Sequence, residues 1–152
     1  MTWNQAEKDV KGFQKLEKII PNVQDYDLIA FASQECKKSN RLERVGEIEK
    51  FMVPKSFVNI DKASQMTWMH EMYLTIFIRR ELATDVSKVN QTFLARGFGG
   101  FVGNKGGIAY SLKIKNRLFN FIACHLRHGQ DKVLERNKMA QELITEMKMQ
   151  EL

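Results

Sequence analysis

Ile108-Ala109-Tyr110-Ser111-Leu112-Lys113-Ile114-Lys115, then Asn116-Arg117, then the run from Leu118 to Leu126, is the stretch that decides the fold. Ile108, Tyr110, Leu112 and Ile114 alternate with Ala109, Ser111, Lys113 and Lys115. That period of two predicts a strand with one wetter face. Asn116-Arg117 reads as a turn, and the return run carries bulk on both faces in Phe119, Phe121 and Ile122. The expectation is a hairpin that enters the core.

Upstream, Asp27-Leu28-Ile29-Ala30-Phe31-Ala32-Ser33 is a continuous apolar run that reads as a buried strand and delivers Gln34 and Glu35 at its end. Tyr73 to Ile78 has the β-branched and aromatic content of a strand, stopped by Arg79-Arg80. Phe93-Leu94-Ala95 suggests a short strand. Helical spacing recurs from Glu7 to Ile20, closed by Pro21, then over Arg41 to Glu49 and from Asp131 to Met149. Residues 51–69 show no clear period. Helix, strand, helix, strands, hairpin and helix in that order predict one layered α/β (α+β) domain.

Composition narrows the function. The 152 residues carry 24 Lys+Arg against 18 Asp+Glu, a net charge of +6, with 43% hydrophobic residues. This is a globular composition. No apolar run approaches the roughly 18 residues of a membrane span, and the first residues lack the basic-then-apolar build of a signal peptide. Cys36 and Cys124 are too few for a disulfide framework and make no zinc pattern; they read as core or strand residues in a reducing compartment. Residues 1–76 hold 11 basic and 11 acidic side chains, so the excess lies wholly in the second half. Between Asp85 and Asp131 there is no acid, while seven of the nine glycines fall there. A glycine-rich loop in a basic interval suits an anionic partner, because backbone N–H groups approach an anion closely where no Cβ intervenes. The same composition also describes a solvated face beside an ordinary loop.

Asn4, Glu35 and His125 stand at or near strand ends, where layered folds build sites. Singly, none is specific. The glycine loop fits neither common phosphate pattern: Gly106 follows Lys105 where Ser or Thr would complete a P-loop, and Val102 stands where the last glycine of a dinucleotide fingerprint would be. His70 and His128 lack partners at metal spacing and read as surface residues.

Together these residues match a known pattern. Gly103-Asn104-Lys105-Gly106-Gly107, then a hairpin ending in Cys124-His125-Leu126, then Gly129, Lys132, Arg136 and Asn137, resemble the inositol polyphosphate 5-phosphatases of the endonuclease/exonuclease/phosphatase superfamily. Trp3-Asn4 and the Asp27 to Glu35 strand resemble two further landmarks in family order. The resemblance implies a layered α-β-β-α sandwich. It also implies Mg²⁺-dependent removal of the 5-phosphate from inositol phosphates or phosphoinositides. Carried over by matching positions, Asn4 and Glu35 serve the metal, His125 is the active-site group near the scissile phosphate, and Asn104 and Lys105 lie beside the substrate. The implied setting is the cytoplasm, with peripheral membrane contact.

The sequence also departs from the family. The later motifs, G-D-x-N, P-x-x-x-D-R and a terminal S-D-H, are absent, and no Gly-Asp, Asp-Arg or Asp-His pair occurs anywhere. Those missing groups activate the water in the family. The expectation is therefore a truncated phosphatase catalytic domain over residues 1–152, inactive by itself and lacking a C-terminal segment. Two other readings stand beside it: a non-catalytic binder of phosphoinositides on anionic membranes, and a nuclease of the same superfamily. Nucleic acid is the less favoured partner, because the aromatics fall in apolar strand and helix patterns rather than on a stacking platform.

Overall fold

The computed structural model describes residues 1–6, 16–36, 41–60, 68–69, 71–96 and 105–146. Among the described residues eight strands form two sheets. In the first, β1 (Thr2–Asn4) runs parallel to β2 (Leu28–Gln34), and β2 pairs antiparallel with β5 (Met72–Arg79). The far edge of β5 takes two short strands, β3 (Phe57–Asn59) and β4 (Trp68–Met69). The second sheet is an antiparallel run of β6 (Val86–Ala95), β7 (Gly106–Ile114) and β8 (Arg117–His125). Helices α1 (Leu16–Ile19), α2 (Arg41–Met52) and α3 (Val133–Glu146) complete the described chain.

The layers follow from which faces are apolar. Phe31, Ile29, Tyr73, Phe77 and Phe57 point from the first sheet toward Leu16 of α1 and Ile48 and Met52 of α2. Phe31 and Phe77 meet edge to face at 5.8 Å, a favoured aromatic geometry. The opposite face of that sheet gives Met72, Leu74 and Ile76, which pack on Ile108, Tyr110, Leu112 and Ala123 of the second sheet. The outer face of the second sheet places Ala109 against Leu143 of α3. The result is helix, sheet, sheet, helix. Because β5 is covered on both faces, it reads as a near-continuous apolar run and is buried from Met72 to Ile78.

The expected strands at 27–33 and 73–78 and the hairpin at 108–126 are present, and the helix expected at 41–49 extends to Met52. The helix expected at 7–20 falls largely outside the described residues; its last turn is α1. The helix expected from Asp131 opens as a 3-10 turn at Gln130–Lys132 and then runs as α3. Three readings are corrected. The short strand at 93–95 is the end of the ten-residue β6, whose register slips between Lys88 and Asn90. Such a bulge breaks the alternation that would have revealed the strand. The face of β7 expected to be wet is buried as far as Leu112, because β7 lies between two strands and beneath α3. The bulky return strand β8 is largely exposed, because it is an edge.

Candidate functional site

Two strand ends from each sheet converge at one end of the sandwich. Asn4 closes β1, Glu35 follows β2, Lys105 precedes β7, and His125 closes β8. The parallel β1–β2 pairing sets Asn4 opposite Gln34, so Asn4 and Glu35 emerge side by side. In the other sheet Gly106 pairs with His125, which brings Lys105 beside the imidazole. The stacked sheets then bring the two pairs together.

His125 Nε2 lies 3.2 Å from Glu35 Oε1. Lys105 Nζ lies 2.8 Å from the same Nε2 and 3.3 Å from Nδ1. Nε2 carries at most one proton, so it can donate to Glu35 or accept from Lys105 but not both at once. The imidazole is therefore a switchable link between a carboxylate and an ammonium group. Its side chain is only 11% exposed, whereas that of Glu35 is 31% exposed and can be reached by a ligand.

The Glu35 carboxyl is held below its ordinary value of 4.5. The chief cause is a hydrogen bond from the Asn4 side chain; partial burial opposes it, and the charges of His125 and Lys105 add to the lowering. Glu35 thus keeps its negative charge at neutral pH. The Asn4 amide is oriented from its other end, because the Ala6 backbone N–H donates to Asn4 Oδ1 at 2.9 Å. Glu35 itself has φ of 53°, a left-handed conformation uncommon for a residue other than glycine. Strain of this kind persists where surrounding contacts enforce it, and it clusters at functional sites. Here the next residue is fixed by a bond from Cys36 N–H to Glu71 O at 2.9 Å.

Four of the five expected site residues, Asn4, Glu35, Lys105 and His125, are brought together. Asn104 lies outside the described residues, as does His70. His128 is exposed as expected. Among the described residues no group of three or more His, Cys, Asp or Glu could hold a metal. The donor set nevertheless fits a hard cation: one ionised carboxylate and one amide oxygen suit Mg²⁺, which takes one or two protein oxygens plus phosphate and water.

Two supports stand behind these residues: the first is built from Gly129 and Arg136, quoted above as landmarks without a role, and the second was missed by the sequence reading. Arg136 of α3 donates from Nη1 to Gly129 O at 2.5 Å and to Arg127 O at 3.3 Å, and so shapes the loop that leaves His125. Gly129 has φ of 108°, and a Cβ there would come within 2.9 Å of Asp131 Oδ1, so glycine is required. The other support is a row of buried polar residues behind Asn4 and Glu35. Its signal was present in Ser33, a polar residue near the end of the apolar run of β2, whereas Gln5 follows the largely exposed β1.

Comparison with known proteins gives the family and the fold. The family model for endonuclease/exonuclease/phosphatase family 2 matches residues 1–152. A zebrafish (Danio rerio) phosphatidylinositol 3,4,5-trisphosphate 5-phosphatase 2B is 34% identical over 82 residues, which are 54% of this chain and 6% of that protein. Among solved structures, the inositol polyphosphate 5-phosphatase domain of a synaptojanin, in complex with inositol (1,4)-bisphosphate and calcium ion, superposes with a TM-score of 0.75 at 20% identity. The match covers 92% of this chain and 43% of that one, so this chain spans less than half of that domain. A Cimex nitrophorin in its ferrous nitric-oxide complex also shares the fold, with a TM-score of 0.63 at 17% identity over 83% of this chain and 45% of its own. The fold alone therefore does not decide the chemistry.

Proposed function

The chain belongs to endonuclease/exonuclease/phosphatase family 2, and from that premise we propose that residues 1–152 form the front part of an inositol polyphosphate 5-phosphatase catalytic domain. The observation that carries this reading is the meeting of Asn4, Glu35, Lys105 and His125 at one end of the two sheets.

The ligand is a phosphate of an inositol phosphate or phosphoinositide. Glu35 and Asn4 are the residues that would hold Mg²⁺, which when bound neutralises charge on the phosphoryl oxygens. Lys105 places an ammonium group where those oxygens would gather charge. His125 stands between Lys105 and Glu35 and can donate a proton to the carboxylate or accept a bond from the ammonium group. Asn104, next to Lys105, extends the substrate contacts. The family motifs that activate water are absent from this sequence, so the 152-residue polypeptide binds its ligand without turnover. General-base catalysis is worth about 10²–10⁴-fold. The proposed setting is cytoplasmic, with peripheral contact at anionic membranes. Two free thiols agree with a reducing compartment, and no described helix is long and apolar enough to cross a membrane.

Calorimetry with inositol 1,4,5-trisphosphate, with and without Mg²⁺, tests this reading alongside a phosphate-release assay. The expected result is Mg²⁺-dependent binding, weakened about tenfold or more in Lys105→Ala by loss of a charge-assisted bond, with no phosphate release. Equal binding by the variant would overturn the site, and phosphate release abolished by His125→Ala would overturn the absence of turnover.

A further inference from the structure

Behind Asn4 and Glu35 lies a polar row where the packing is otherwise apolar. Gln5, Ser33, Cys36 and Tyr73 are all 3% exposed or less. Ser33 is at its centre. Its Oγ accepts from Gln5 Nε2 at 2.6 Å and from Cys36 Sγ at 3.0 Å, and donates to Trp3 O at 3.1 Å. The Ser33 hydroxyl thus both donates and accepts, as its one proton and two acceptor positions allow. The Tyr73 hydroxyl, on the neighbouring strand, is hydrogen-bonded within the same group.

The identity of the partners matters. Trp3 and Gln5 flank Asn4, and Cys36 adjoins Glu35. A single side chain thus grips both neighbours of one site residue and one neighbour of the other. This grip is needed because β1 is only three residues long and pairs with β2 at three positions. So short a strand is prone to local opening. At the site end the same two segments are also joined by the bond from Gln5 N–H to Gln34 O at 2.8 Å and by the Asn4 side chain on the Glu35 carboxyl. An apolar residue at position 33 would fill the space without the cost of burying a hydroxyl, but it would release all three partners.

We propose that Ser33 is a positioning residue whose hydroxyl holds Asn4 against Glu35. The consequence for Mg²⁺ rests on the function proposed above; the positioning itself does not. Ser33→Ala, Ser33→Thr and Gln5→Leu are compared with the wild type in two measurements. The first is amide hydrogen exchange in metal-free protein at Gln5, Ala6 and Cys36, whose N–H groups report the Gln34, Asn4 and Glu71 bonds. The second is Mg²⁺ affinity by calorimetry. In Ser33→Ala the three amides are expected to exchange at least tenfold faster while β7 amides keep wild-type rates. Mg²⁺ affinity falls about tenfold, in the range for residues that orient metal ligands, and Ser33→Thr restores both. Unchanged exchange at the three amides, or equal acceleration in β7, overturns the proposal. If Ser33→Ala does not fold, Gln5→Leu carries the same test through loss of the 2.6 Å bond. A wild-type chain that takes no Mg²⁺ overturns the metal reading of Asn4 and Glu35, while the exchange data still decide the role of Ser33.

Discussion

Strands β7 and β8 pair along their full lengths, yet their surroundings differ sharply. β7 is buried from Gly106 to Leu112. On β8, Phe119 and Ile122 are each 38% exposed, and Ala123 is its one buried residue. Composition does not explain this, since β8 carries more aromatic bulk. Position does: β7 has a strand on each side, the first sheet on one face and α3 on the other, whereas β8 is the last strand of its sheet. Burial is a property of the place in the topology as much as of the side chain. The two strands also divide the labour, because β7 holds the sandwich together and β8 ends in His125.

The largest expected effect tests that division directly. Leu112→Ala, at a fully buried site between the sheets, should cost about 2–5 kcal/mol. Phe119→Ala should cost about 1 kcal/mol, since the ring is partly solvated and stacks on Phe121 with centroids 6.5 Å apart. Urea midpoints of the two variants measure the difference, and equal losses would break the comparison.

A second prediction extends the contrast to β5, on which β7 packs. Burial pushes the Tyr73 hydroxyl from 10.0 up to about 12. A raised pKa means that the folded state binds the proton more tightly. The stabilisation is present in full below pH 10 and is lost as pH rises toward 12. The loss amounts to roughly 2–3 kcal/mol at 1.36 kcal/mol per unit. Urea melts between pH 8 and 11 should show the decline, and Tyr73→Phe should flatten it.

The smallest effect belongs to Glu35, the partner that β2 brings to the end of β8. Glu35 has a depressed pKa, owing first to Asn4 and further to His125 and Lys105. Its contribution is present above the ordinary value of 4.5 and is lost as pH falls through the folded value. Because the carboxyl is partly exposed, solvent screening keeps the contribution small. Glu35→Gln should remove a shallow acid-side slope from the urea midpoints; a slope as steep as the Tyr73 decline would show that the site end is as tightly packed as the core.

Much of this was legible in the sequence where one local signal sufficed. The apolar run at 28–33 and the β-branched run at 73–78 announced buried strands, while Asn4, Glu35, Lys105 and His125 were named only by the family resemblance, none being specific singly. What was not legible depended on distant neighbours. The stretch 51–69 hid β3 and β4, strands of three and two residues that exist only because the edge of β5 receives them. The wetness of β7 was misjudged because Ala109 and Ser111 are small enough to lie under a helix that comes later in the chain. The Ser33 row was missed because its partners sit on three separate strands or loops.

The meeting of the early and late parts of the chain has a kinetic side. Asn4 and Glu35 emerge from the first sheet, Lys105 and His125 from the second, and the site exists only once one sheet has docked on the other. Contacts this remote in sequence close late, because a long loop loses its entropy before they form. The approach of Glu35 to His125 is therefore a clock for the final event of folding, and a spectroscopic probe on that pair would time the docking of the two sheets rather than the formation of either one.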